Sequence, residues 1–138
     1  MASFNKFNIF TYDTLAKKHD FTADVFKVAL SNTAPGAANA VLADITQISA
    51  GNGYTSGGTA TSMSLGTSSG TAKATGTDVV FTASGGSIGP TRYAVLYNST
   101  AAGGPLVGWW DYGSSVTLAT SETLTVDFDA TNGILTIV

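Results

Sequence analysis

The chain has 138 residues, of which 43% are hydrophobic, so it is long enough to bury one substantial core and has the size of a single domain. A formal net charge of −3, from 6 basic and 9 acidic side chains, gives no positive field for a phosphate backbone, and we expect no direct nucleic-acid binding. The absence of cysteine excludes disulfides and thiolate chemistry, while 16 glycines and only 11% charged residues favour an all-β chain of short strands and turns.

The N-terminal segment is unusually aromatic. We predict that residues 1–22 form a helical, aromatic arm and that residues 23–138 form a β-sandwich domain. The helix is predicted over residues 4–19, with Ser3 or Asn5 as its cap, because large apolar side chains recur there at helical spacing: Phe4, Phe7, Phe10 and Leu15. Since Tyr12 lies on another side, we expect the arm to be clamped by a second surface or to pack on a neighbouring subunit.

The next stretch of the chain alternates between strand and turn signals. Residues 24–32 alternate as a strand with one strongly apolar face, and residues 41–49 predict a short, partly extended segment. Four glycines surround Tyr54 within residues 50–59, but their spacing does not match a dinucleotide-binding loop, and a turn anchored by the tyrosine is favoured. Residues 59–77, rich in Thr, Ser, Gly and Ala, predict an exposed edge strand or a long loop.

A hairpin over residues 90–113 is predicted to be the centre of the fold. Its first strand is apolar on both faces, as expected for a strand in the middle of a packed structure. Arg92 could pair with Asp111 across the hairpin or reach a partner. Trp109 and Trp110 point to opposite faces by alternation, and we expect Trp110 in the core and Trp109 outward, covered by a loop, the N-terminal helix or another subunit.

Further strands are predicted at residues 78–83, 115–119, 122–129 and 133–138. Together these segments predict a single-domain sandwich or jelly roll of about eight short antiparallel strands with a short N-terminal helix. No segment reads as a secretion signal or a bilayer span, so we expect a soluble chain made in the cytoplasm, without membrane contact.

The search for catalytic chemistry finds no complete constellation. His19 is the only histidine, which leaves no histidine cluster for a metal, and we expect it to be solvated or to cap the helix. Asp127 and Asp129 precede Asn132, but the spacing is not that of a calcium-binding loop. The same two carboxylates could act in glycoside cleavage, although two acids on one wet face are usually only solubilising. We predict no catalytic, cofactor-binding or metal-binding residues and no enzymatic activity.

Six blocks stand out in their order along the chain, at residues 25–35, 42–48, 53–58, 92–97, 105–113 and 132–137. Together they resemble a family of small virion structural proteins of tailed bacteriophages. The resemblance covers the chain from about Val25 to its end, and the aromatic residues 1–22 are a departure from it.

This resemblance implies a capsid decoration, or cement, protein. Such proteins are β-rich, often homotrimeric, and bind the outside of the head, where they tie subunits of the major capsid protein together. Some similar sequences are tail components, which is the first alternative. A carbohydrate-binding module using Trp109, Tyr112 or Tyr97 as a stacking platform is a second alternative, and a glycosidase is a third. The candidate interface residues are Phe4, Phe7, Phe10, Tyr12 and Trp109.

Overall fold

A computed structural model describes residues 2–138 and confirms the all-β prediction. The described chain forms ten strands in three antiparallel sheets, together with one short α-helix and one 3₁₀ turn. The elements in chain order are β1 (Ser3–Lys6), α1 (Asn8–Leu15), β2 (Phe26–Ser31), the 3₁₀ turn (Leu42–Asp44), β3 (Thr59–Thr61), β4 (Met63–Ser68), β5 (Thr71–Gly76), β6 (Val79–Thr82), β7 (Ile88–Asn98), β8 (Leu106–Leu118), β9 (Thr123–Val126) and β10 (Leu135–Ile137).

The predicted central hairpin is confirmed as β7 and β8. These two strands lie next to each other in a five-stranded sheet with the order β1-β8-β7-β2-β3. The two remaining sheets are a three-stranded one, β10-β5-β4, and the pair β6-β9. The β6-β9 pair faces the five-stranded sheet across a shared core, which gives the sandwich.

Both faces of the five-stranded sheet are buried. The first core lies between this sheet and β6-β9 and contains Phe26, Val28, Leu30, Phe81, Ala94, Leu96, Trp110, Val126 and Phe128. The second core covers the opposite face and contains Phe7, Ala29, Ile45, Val95, Tyr97 and Leu106. Adjacent residues of β2 and β7 therefore alternate between two apolar environments, which explains why the sequence of β7 is apolar on both faces.

An irregularity in β8 sets the side chains of the hairpin. Leu96 pairs with Gly108 while Tyr97 pairs with Leu106, so Val107 is an extra residue and the strand bulges there. After the bulge, Trp110 lies opposite Ala94 in the first core, with 3% of its surface exposed. Trp109 lies on the other face, beside the second core. The prediction for the two tryptophans is confirmed.

The predicted helix over residues 4–19 is wrong at its start and its end. Ser3–Lys6 is an edge strand that pairs with β8, and α1 covers only Asn8–Leu15. Neither Ser3 nor Asn5 is the cap, since Phe7 precedes the helix without a side-chain cap. Residues 3–6 form a strand instead of a helical turn because the edge of β8 is open to them. Gly108 of β8 has no side chain, and a Cβ there would overlap the ring of Phe4 and the backbone of Asn5.

The glycine-rich turn is anchored by Tyr54, as predicted. The Tyr54 hydroxyl donates to Gln47 Oε1 at 2.7 Å and accepts from the backbone N–H of Leu30 at 3.1 Å. The Thr- and Ser-rich tract that follows forms β3 and the β4–β5 hairpin. At its start, Gly58 has φ +79° and lies directly on β2, where a Cβ would overlap the carbonyl of Val28. Only glycine fits this contact.

Candidate functional site

A groove of about 780 Å³ lies between the N-terminal segment and the three-stranded sheet. One wall comes from residues 6–21, and the other from β4, β5 and β10. Ligand sites in proteins are typically of about 300–1,000 Å³ and mostly apolar. The groove therefore has the size and character of a binding surface.

The sheet wall of the groove is an apolar face that the rest of the fold covers only in part. Leu65, Ala74 and Leu135 form one row across the three strands, and Ala72 and Ile137 pair in the next. Met63 and Leu135 pack against the first core. Farther from the core, Leu65 is 51% exposed and Ile137 is 61% exposed. Part of this apolar face therefore lies beyond the first core and stays exposed to solvent.

The opposite wall is built on Phe10 of α1 and on the loop after the helix. Phe10 is buried, whereas Leu15 at the end of the helix is 86% exposed. Phe21 stacks on Phe26 of the first core, with ring centroids 4.6 Å apart and planes at 10°. The His19 ring lies close to three aromatic rings, with centroid distances of 5.2 Å to Phe10, 6.1 Å to Phe21 and 6.0 Å to Phe26.

His19 is half-buried, so the prediction of a solvated or helix-capping histidine is wrong. Its Nδ1 lies 3.4 Å from the amide nitrogen of Asn98, and its Nε2 is buried without a hydrogen-bond partner in the described chain. Burial lowers the pKa of His19 below its usual 6.5, and the carboxylates of Asp13 and Asp24 offset this only in part. Burial therefore favours the neutral form of the imidazole.

Asn98 fastens the His19 loop to the central hairpin. This fully buried side chain donates from Nδ2 to Asp24 Oδ2 at 2.7 Å and to the carbonyl of Lys18 at 3.2 Å. Its Oδ1 accepts from the backbone N–H groups of Thr100 and Ala101. Sequence reasoning missed Asn98, although a polar residue at the end of a buried strand must find partners within the fold.

Basic side chains border the groove more than acidic ones do. Lys6, Lys17 and Lys73 are three of the chain's 6 basic residues, whereas of the groove's described lining residues only Asp20 is acidic. Lys18, next to the groove, pairs with the buried Asp13 at 3.0 Å. The described lining of the groove thus carries more basic than acidic side chains, although Lys73 also donates to the carbonyl of Thr131 and lies near Asp129.

The five candidate interface residues have different environments. Phe7 and Phe10 are buried by their own chain, because the strand β1 draws the segment onto the sheet. Phe4 is half-buried and meets the Trp110 ring edge-on at 4.9 Å. Trp109 is half-buried beside Phe7, with ring centroids 4.6 Å apart. Tyr12 is 66% exposed. Sequence reasoning missed Leu65 and Ile137, since no periodicity distinguishes them.

The three rings suggested as a sugar platform do not share a surface. Tyr97 is buried in the second core, and its hydroxyl donates to the carbonyl of Gly57 at 2.6 Å. Trp109 lies beside that same core, whereas Tyr112 packs against the first. Burial, with a smaller contribution from Asp127, raises the pKa of Tyr112 to about 12.

The charged residues singled out from the sequence hold local structure. Arg92 binds Asp111 across the hairpin through two contacts, Nε to Oδ1 at 2.8 Å and Nη2 to Oδ2 at 3.2 Å, which lowers the pKa of Asp111. Asp129 accepts from the backbone N–H groups of residues 131 and 132, and Asp127 accepts from the N–H of Asp129. Within residues 2–138, no three His, Cys, Asp or Glu side chains are grouped to hold a metal ion.

Comparison with family models, curated proteins and solved structures finds no match for this chain. Among the described residues, no helix is long and apolar enough to cross a membrane. The features of the molecule itself therefore carry the functional argument.

Proposed function

We propose that this protein is a non-enzymatic structural component of a tailed-phage virion, a decoration protein that binds the outside of the head and ties neighbouring major capsid subunits together. The sequence blocks described above support the placement. The observation that carries the adhesive role is the partly covered apolar groove, in which Leu15, Leu65 and Ile137 remain exposed. Large apolar side chains gathered in one concave surface are typical of a site for a partner.

The polar side chains support the same reading. Arg92, Asp111, Asn98 and Asp129 each engage backbone or side-chain partners that hold turns and strands together. Residues committed to such contacts serve the fold, and this favours adhesion over catalysis. The separation of Trp109 from Tyr112 by the five-stranded sheet weighs against a carbohydrate-binding module.

We further propose that the protein works as a homotrimer through the exposed face of α1. Tyr12 is 66% exposed, and tyrosine is among the residue types enriched at protein interfaces, so it is a candidate for a contact between subunits. Light scattering of the purified protein should give the mass of three chains, and Tyr12→Asp should reduce it. Val80→Asp, at a residue 51% exposed on β6, is the control. A monomer in the wild type would refute the trimer.

Imaging of purified particles tests the virion assignment. Labelled protein added to heads that lack it should occupy the outer capsid surface at regular positions. Labelling confined to tails would assign the protein to the alternative tail role, and binding to isolated polysaccharide without binding to particles would refute the structural proposal.

A further inference from the structure

We propose that the groove between α1 and the three-stranded sheet binds an extended segment of a partner protein in which apolar residues alternate with acidic ones, and that this segment adds a strand to β10. This inference rests on the proposed adhesive function and specifies the partner's chemistry. Three features of the groove carry it: apolar walls, an open strand edge and a local excess of lysines.

The apolar walls select the side chains of the occupant. Leu65 and Ile137 line the groove on the sheet, and Leu15 and Phe21 line it on the N-terminal wall. Three of these side chains, Leu15, Leu65 and Ile137, are at least half exposed. Burying such groups is favourable in proportion to the area removed from water. An occupant with apolar side chains every second residue would place one row of them between the walls.

The open edge of β10 selects the backbone of the occupant. In the described part of the chain, β10 pairs with β5 on one side and with no strand on the other. The groove is bordered by Leu135–Ile137 of β10 and by Ala72, Lys73 and Ala74 of β5, so it lies over the sheet and reaches the open β10 edge. Free N–H and C=O groups at an edge bind another strand, and an apolar tail or a detergent-like molecule cannot satisfy them.

The lysines select the charge of the occupant. Lys6 and Lys17 lie on the N-terminal wall and Lys73 on the sheet; Asp20 is the one acidic residue of the described lining, and Asp129 lies near Lys73. Carboxylates spaced along a strand can approach basic groups on both walls, which favours an acidic segment and disfavours a basic one.

A second copy of this chain is a poor source for the segment. The stretch that best matches the pattern, residues 124–129, alternates Leu124, Val126 and Phe128 with Thr125, Asp127 and Asp129. However, Val126 and Phe128 are fully buried in the first core, and β9 is already paired with β6. We therefore infer a segment of a different protein.

The test uses three synthetic, fluorescently labelled peptides and the full-length protein. The first alternates valine and glutamate, the second replaces each glutamate with lysine, and the third is the first with N-methyl groups on the amides that would pair with β10. Fluorescence anisotropy should show saturable binding of the first peptide and at least roughly tenfold weaker binding of the other two. Equal binding of the lysine peptide would overturn the charge assignment, and equal binding of the methylated peptide would overturn strand addition.

Matched variants locate the site on the protein. Leu65→Asp should weaken binding of the valine–glutamate peptide by roughly tenfold or more, whereas Val80→Asp, at a residue with the same 51% exposure outside the groove, should leave it unchanged. If Leu65→Asp does not fold, Ile137→Asp near the chain end provides the same test. Lys17→Gln should weaken binding severalfold, and Lys27→Gln on β2 should not. Equal effects inside and outside the groove would overturn the site.

The remaining outcomes separate this inference from the proposed function. Saturable binding of dodecanoate with no peptide binding would assign the groove to a small amphiphile and overturn the inference. Capsid binding that persists in a groove variant unable to bind the peptide would overturn the inference and leave the proposed function standing. Peptide binding by a protein that does not bind heads would support the inference about the groove and refute the proposed function.

Discussion

The most informative stability prediction concerns Trp110, which joins three parts of the fold. The centroid of its ring lies 4.9 Å from that of Phe4 in β1 and 4.9 Å from that of Phe128, which follows β9. In the sheet, Trp110 pairs with Ala94 of β7. Trp110→Ala would remove this junction and leave a cavity between the N-terminal strand, the five-stranded sheet and the β6-β9 pair.

The expected cost follows from burial. Trp110 is 3% exposed, and replacing a buried tryptophan with alanine typically lowers the free energy of unfolding by about 3 to 5 kcal/mol. We expect the upper half of that range, because edge-on and tilted aromatic pairs each contribute about 0.5 to 1.5 kcal/mol beyond area burial. A domain of this kind is stable by only about 5 to 15 kcal/mol. The melting temperature should therefore fall by roughly 10 to 20 °C.

Trp109→Ala is the control, since it removes the same ring from the neighbouring residue. Trp109 is half-buried at the border of the second core, where its ring meets that of Phe7, so we expect a loss of roughly 1 to 2 kcal/mol. Urea titration followed by far-ultraviolet circular dichroism measures both variants without depending on tryptophan emission. Equal destabilisation of the isolated subunit by the two changes would refute the assignment of the rings to different environments.

Two further predictions concern pH and backbone geometry. Because burial lowers the pKa of His19 below 6.5, the unfolded chain binds the proton more readily, so the free energy of unfolding should fall as the pH drops below 6.5 toward the folded-state pKa. His19→Gln should flatten that slope in urea titrations between about pH 7.5 and 5, and an unchanged slope would contradict the burial argument. Gly58→Ala should prevent folding, whereas Gly70→Ala, with a similar φ (+81° against +79°) and open space around it, should cost about 1 kcal/mol. Similar melting temperatures for the two glycine variants would show that the Val28 carbonyl can move aside.

The centre of the fold could be predicted from the sequence because its signals are local. In β7, side chains are apolar on both faces, so the strand had to be covered on both sides, and the two cores confirm this. Alternation predicted that Trp109 and Trp110 point to opposite faces, and the structure shows that Trp110 is the buried one. The turn around Tyr54 was equally readable, since glycines at close spacing permit the backbone that the buried ring requires.

The candidate site depended on contacts between distant parts of the chain. Phe4, Phe7 and Phe10 have helical spacing, yet Phe4 belongs to a strand because β8, about a hundred residues later, offers an open edge and the bare Gly108. The groove likewise exists because β10 pairs with β5 in a register that places Leu135 opposite Ala74 and leaves Ile137 beyond the core. Residue patterns determine which segments can form strands and which faces must be buried. The edge a strand joins, and the surface then left uncovered, are decided by tertiary pairing, because edges and cavities are properties of the assembled sheets.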